Sequence, residues 1–202
     1  MPYKNDQKQK ESQKQYYLEN KAKYMQERRD RRRRNKEFVL SQKTSCSVCE
    51  MTDKVCLDFH HNGGKIKNVS QLVNEATTID KLKEEIAKCS ILCANCHKKH
   101  HLPEEFSDGS EWKNFNNARR EKRRWFAEFM SKSECVDCGE DDRRCLEFHH
   151  LRDKLFTISY LLTSGHSLDR LKEEMAKCDI VCSNCHRKRH GARSVSVKHN
   201  VL

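Results

Sequence analysis

"CANCHKKHH" at residues 93–101 places two cysteines and three histidines within nine positions, and "CSNCHRKRH" at 182–190 nearly repeats it. A shift of 89 residues explains the recurrence. It carries Cys46, Cys49, Cys56, Cys89, Cys93 and Cys96 onto Cys135, Cys138, Cys145, Cys178, Cys182 and Cys185 without an insertion or deletion. It also lays "CLDFHH" (56–61) over "CLEFHH" (145–150), and "KLKEEIAKC" (81–89) over "RLKEEMAKC" (170–178). Self-similarity at one fixed shift marks a tandem duplication, here of a unit spanning residues 46–101 and 135–190.

Composition limits how such a unit can fold. The 202-residue chain carries 12 cysteines, a formal net charge of +11, 35% charged residues and only 35% hydrophobic ones, too little apolar material for one large core. A unit of this size needs a staple beyond hydrophobic burial. Disulfides persist in oxidising compartments, whereas reducing ones favour thiolates bound to metal. The first thirty residues contain no apolar run, so neither a signal peptide nor a membrane anchor is expected there. An intracellular zinc protein is expected: nuclear if the cell is eukaryotic or the protein acts in a eukaryotic host, and otherwise cytoplasmic.

Each copy reads as strand, loop, helix, knuckle, helix. In "VCLDFHH" and "RCLEFHH" a leucine and a phenylalanine stand two apart, as one face of a strand requires. Asp80 and Asp169 are expected to cap short helices. Along these, Leu82, Ile86 and Cys89, or Leu171, Met175 and Cys178, form a core stripe. Glu84, Glu85, Glu173 and Glu174 lie off the stripe, and are expected at a solvated surface rather than in acid catalysis.

Two thiolates in a CxxC pair grip half of a zinc tetrahedron, and a second pair completes it. The expected sets are Cys46, Cys49, Cys93 and Cys96, then Cys135, Cys138, Cys182 and Cys185, giving two structural zinc ions per chain. Such sites are closed and supply about 10–16 kcal/mol of folding free energy. Cys56, Cys89, Cys145 and Cys178 remain, and read as small buried hydrophobes.

His97 and His101 stand four apart, as do His186 and His190, a spacing that puts two imidazoles on one helix face where both can bind one ion. The strand ends offer His60 and His61, or His149 and His150. Adjacent strand side chains point to opposite sides, so one ion does not take both. One histidine of each pair would complete a three-histidine site, and its neighbour would serve as a base suited to activating water near neutral pH.

"CSVC", "LDFHH" and "ILCANCHKKHH" together resemble the HNH nucleases, the ββα-metal or His-Me finger group, in their zinc-stapled form. The resemblance covers residues 46–101 and 135–190. It implies a small α+β, zinc-stabilised fold with two tandem ββα-metal domains, each preceded by a basic helix. It implies that His60 and His149 bind a catalytic divalent ion, Mg²⁺ or another, with His97 and His186 as second ligands and His101 and His190 as third ligands, as in nuclease colicins. His61 and His150 match the general base. Many members of the family carry asparagine five residues before the third zinc cysteine, pinning the loop that holds the base. Here Lys88 and Lys177 stand in that place, as a phosphate contact, a hydrogen-bond donor to the same loop, or a surface lysine.

The implied reaction is hydrolysis of a phosphodiester in double-stranded DNA. "RRDRRRRNK" (28–36) and "RREKRR" (119–124) precede the two copies and are suited to phosphate contact without base readout, and also to a solvated helix face or a nuclear localisation signal. Arg28, Arg29, Arg31, Arg32, Arg33, Arg34, Arg119, Arg120, Arg123 and Arg124, with Lys88 and Lys177, are the expected DNA-binding residues. The expected organisation is a basic arm over 1–37, helical or disordered, a first domain over 38–101, a linker and basic helix over 102–134, a second domain over 135–191, and a tail over 192–202. With two sites in one chain, a monomer acting as a pseudo-dimer is expected, one nick per domain. Two other functions fit the same residues: a nuclease specific for branched DNA, since a phage junction-resolvase branch of the family shares the four-cysteine staple, and a non-catalytic zinc protein that binds DNA.

Overall fold

Forty residues without glycine or proline, rich in Lys, Arg, Glu and Gln, form the first element, α1 (Tyr3–Gln42). The computed structural model describes residues 3–102 and 116–196. Leu102 apart, the predicted linker "LPEEFSDGSEW" lies outside the described residues. Residues 1–2 of the arm and 197–202 of the tail lie outside them as well. The arm is helical, and the helix runs unbroken past residue 37. Before Phe38 it is predominantly polar, with i,i+4 contacts such as Gln15 to Glu19 at 3.3 Å on its surface.

After α1 the chain forms β1 (Leu57–His61), α2 (Val69–Glu75), α3 (Ile79–Ile86), β2 (Cys89–Cys93) and α4 (Ala94–His101). The second copy gives α5 (Asn117–Ser131), β3 (Leu146–His150), α6 (Ile158–Thr163), α7 (Leu168–Met175), β4 (Cys178–Cys182) and α8 (Ser183–Ser196). The protein is a small α+β structure with two two-stranded sheets, β1 with β2 and β3 with β4. β3 and β4 are antiparallel in a register that sets Leu146 opposite Cys182 and His150 opposite Cys178. Among the described residues no helix is long and apolar enough to cross a membrane.

Two local expectations are corrected. Asp80 and Asp169 are not N-caps. Thr78 and Ser167 hold those positions, and the aspartates sit in the first turn, where a negative charge suits the positive end of the helix dipole. The stretch read as a variable loop contains an extra helix in each copy, α2 and α6. Its signal was local: Asn68 and Gln71 form a capping box, and Thr157 accepts from the Tyr160 N–H.

The chain divides into two compact units, Met1–Thr44 with Phe59–Ser90, and Ser45–Asp58 with Ile91–Leu202. This division runs through the first copy rather than between the copies. In the first unit, Phe38 and Val39 of α1 pack against Val69, Leu72 and Leu82. The buried Asn35 donates to the Thr77 carbonyl at 2.9 Å and Arg32 to the Asn74 carbonyl at 2.6 Å, fixing α1 on the helix pair. In the second unit Trp125 and Phe126 of α5 cover Ile158, Leu161, Leu171 and Met175. Lys122 is buried and caps the carbonyls of Leu161, Ser164 and His166 at 2.6, 2.9 and 2.8 Å. A cation there satisfies carbonyls that the end of α6 leaves open.

Candidate metal centres and their histidines

The four-cysteine sets assemble from the two ends of each copy. Cys46, Cys49, Cys93 and Cys96 bring their sulfurs within 4.8 Å of one another, as do Cys135, Cys138, Cys182 and Cys185. Cys49 Sγ lies 3.6 Å from Cys93 Sγ, and Cys138 Sγ lies 3.7 Å from Cys182 Sγ. A zinc tetrahedron with Zn–S bonds near 2.3 Å spaces its sulfurs by about 3.8 Å, so the residues fit the ion. All twelve cysteines are free thiols. Cys93 and Cys182 accept the Cys96 and Cys185 N–H groups at 3.4 Å, which starts α4 and α8 on a ligand. The turn after each first pair needs a left-handed residue, supplied by Gly139 at φ 73° and by Glu50 at φ 59°. Burial works to raise the Cys46 thiol, but N–H groups of Cys93, Cys49 and Val48 outweigh it and hold it at about 6. Two four-cysteine sites able to hold two zinc ions are therefore present.

The three histidines of the second copy converge. His149 on β3 and His186 and His190 on α8 bring one ring nitrogen each to within 4.8 Å of one another. Ring centroids are 5.1 Å apart for His149 and His186, 5.1 Å for His149 and His190, and 4.8 Å for His186 and His190. His186 Nδ1 contacts the Glu147 carboxylate, so the proton belongs on Nδ1 and the Nε2 lone pair faces His190 Nε2, 3.1 Å away. Burial works to raise Glu147, but hydrogen bonds from Lys98, His186 and Ser183 hold it at about 2. Two imidazole nitrogens in such proximity, with a third beside them, form a donor set that suits a divalent cation. In the first copy the counterparts fall in different units. His97 and His101 lie on α4 with centroids 4.9 Å apart, and His60 is buried on β1.

The neighbouring histidine points the other way and meets a residue that sequence reasoning misplaced. His150 Nε2 lies 3.1 Å from Glu174 Oε1, and His61 Nε2 lies 2.9 Å from Glu85 Oε1. Glu85 is 2% exposed and Glu174 is 1% exposed, which corrects their expected place at a solvated surface. Each carboxylate also accepts two loop N–H groups, from Ile66 and Lys67 at 2.9 and 3.3 Å, or from Leu155 and Phe156 at 2.9 and 3.2 Å. The Lys88 ion pair at 2.8 Å leads in holding Glu85 at about 2, against burial. For Glu174 burial works upward, and Lys177 at 2.8 Å with the loop N–H groups overrides it, again to about 2. An ionised acceptor obliges each histidine to donate from Nε2, which leaves the lone pair on Nδ1.

Lys88 and Lys177 are therefore engaged with buried glutamates, and Lys177 also donates to the Asp153 carbonyl at 3.2 Å, in the loop after the histidine pair. Among the other predicted DNA-binding residues, Arg28, Arg29, Arg31, Arg32, Arg33 and Arg34 are exposed on α1, and Arg124 is exposed on α5. Arg119, Arg120 and Arg123 are half-buried. A cleft of about 650 Å³ in the second unit brings Arg123 together with His150, His186, Arg143 and Lys154. Arg143 and Lys154 lie outside the basic runs, so no charge block announced them. Glu85 and Glu174 left one trace: each precedes by three residues a lysine that recurs at the shift of 89. No family model, no curated protein and no solved structure matches the chain.

Proposed function

We propose that the protein is a metal-dependent DNA endonuclease of the HNH type, hydrolysing phosphodiester bonds with one active site per copy. The observation that carries this function is the division of labour at the end of β3: His149 turns to His186 and His190, while His150 turns to the buried Glu174. His149, His186 and His190 would hold the divalent ion; His60, His97 and His101 are their counterparts in the repeat. When bound, the ion supplies electrostatic stabilisation of the charge that develops on the phosphate and the leaving oxygen. His150 takes a proton from water at Nδ1, because Glu174 keeps the Nε2 proton in place and stabilises the imidazolium that forms. His61 with Glu85 has the same arrangement. Arg123, Arg143 and Lys154 line the cleft beside His150, where a strand's phosphates can be neutralised. The exposed arginines of α1 supply further phosphate contacts.

The test is incubation of supercoiled plasmid, linear duplex and a four-way junction with zinc-loaded protein and Mg²⁺ or Mn²⁺, with and without chelator. Cleavage of plasmid and duplex that the chelator stops is expected. Cleavage of the junction alone would assign the protein to branched DNA, and binding without cleavage of any substrate would leave a zinc protein that only binds DNA.

A further inference from the structure

The carboxylate that orients the second copy's helical histidine is held by the first copy. Glu147 on β3 contacts His186 Nδ1 through Oε2, and its Oε1 accepts from Lys98 of α4 at 2.5 Å. The converse contact is also present. Asp58 on β1 accepts through Oδ2 from Arg187 of α8 at 2.6 Å, and the same oxygen lies 3.5 Å from His97 Nδ1. Lys98 and Arg187, Glu147 and Asp58, and His186 and His97 are each 89 residues apart, so one contact is made twice. All six residues belong to the second compact unit. Consecutive helical residues point about 100° apart, so each cation faces away from the carboxylate that serves the histidine beside it in sequence.

We infer that Lys98 and Arg187 are positioning residues that act across the duplication, each fixing the carboxylate that orients the first helical histidine of the other copy's metal centre. The inference rests on the proposed metal-binding role of those histidines. A carboxylate behind a metal-binding imidazole fixes both the tautomer and the direction of the lone pair, and its partners matter to ion affinity. Glu147 has an oxygen for each partner, and with Lys98 removed its Oε1 keeps the Ser183 hydroxyl, at 2.7 Å, while Oε2 keeps His186. The first copy has the shorter Asp58 and, at the position of Ser183, the hydroxyl-free Ala94.

The experiment uses full-length, zinc-loaded protein carrying His97→Ala, so that the intact three-histidine set is that of the second copy. Co²⁺ binding is followed by calorimetry and by visible absorption. Lys98→Met is expected to weaken Co²⁺ binding about tenfold, within the range for groups behind a metal ligand. Lys98→Arg is expected to restore it. Lys99→Met serves as the control for simple loosening between the copies, because Lys99 pairs with Glu140 at 3.0 Å without touching Glu147, and it should leave affinity unchanged. Equal weakening by Lys98→Met and Lys99→Met, or no change with Lys98→Met, would overturn the inference while leaving the metal centre standing. If the parent takes up no Co²⁺ at the histidines, the metal reading falls and this inference with it.

Discussion

The side chains of Asn95 and Asn184 each accept the backbone N–H of the other, Asn184 donating at 3.0 Å and Asn95 at 3.4 Å. They occupy the same place in the two copies, so the contact is self-complementary in the manner of a twofold interface, built here within one chain. Cys56 and Cys145, unused by the zinc sets, line the same seam: their thiols reach the Asn184 and Asn95 carbonyls at 3.5 and 3.6 Å. Burial pushes these thiols up, to about 11 and about 12, which keeps them protonated and lowers their reactivity near neutral pH.

Replacing Asn95 and Asn184 together with alanine leaves two buried N–H groups without their acceptors, each costing about 1–3 kcal/mol. The urea midpoint of the zinc-loaded protein should fall, and alkylation of Cys56 and Cys145, followed by mass spectrometry, should accelerate. An unchanged midpoint with both thiols still protected would mean that the asparagines do not hold the seam.

Two zinc ions per chain are expected by native mass spectrometry, one in each four-cysteine set. Chelation should unfold the knuckles, because structural zinc supplies about 10–16 kcal/mol of folding free energy and the hydrophobic clusters around each site are small. A chain that stays folded without zinc would refute this.

The buried glutamates make a prediction with a definite sign. Their carboxyl groups are held at about 2, below the ordinary 4.5, so they contribute stability that is full above about pH 4.5 and is lost as pH falls toward 2. Glu85→Gln with Glu174→Gln should therefore be less stable than the parent at pH 7, by about 1–3 kcal/mol per site, and the gap should close between pH 4.5 and 2. A gap independent of pH would show that charge is not what these residues contribute. At neutral pH the same pair should lower kcat for cleavage with little change in KM, since Nδ1 of the base would lose its assigned lone pair.

His61→Ala alone and His150→Ala alone should each convert a double-strand cutter into a nickase, the two variants cutting opposite strands. Strand-labelled duplex on a denaturing gel reads this directly. If either variant cuts both strands at low protein concentration, the assignment of one strand to each copy is wrong.

The arginine run on α1 divides into two roles. Arg31, Arg33 and Arg34 are exposed, so replacing all three with alanine should flatten the plot of log affinity against log salt by about 3 without loss of stability. Arg32 holds the Asn74 carbonyl, so Arg32→Ala should lower stability by about 0.5–1.5 kcal/mol, read as a lower urea midpoint. An unchanged salt slope in the triple variant would relegate the run to another role, such as nuclear localisation.

The duplication, the two four-cysteine sets and the spacing of the helical histidines were legible in the sequence, because each depends on short-range geometry: a CxxC turn, one helical repeat, the alternation of a strand. Strand alternation alone sends His149 and His150 in different directions, one to His186 and His190 and the other to Glu174. What the tertiary structure alone decided are the groups that stand behind those residues. Glu85 and Glu174 looked like surface residues beside Glu84 and Glu173. They are buried because the loop after the histidine pair folds back and directs two N–H groups at one carboxylate of each pair, a convergence that no periodicity encodes. The exchange of Lys98 and Arg187 between copies, and the Asn95–Asn184 seam, likewise depend on how the parts of the two copies within the second unit pack together. A sequence repeat states that the two surfaces are alike; only packing determines that they meet.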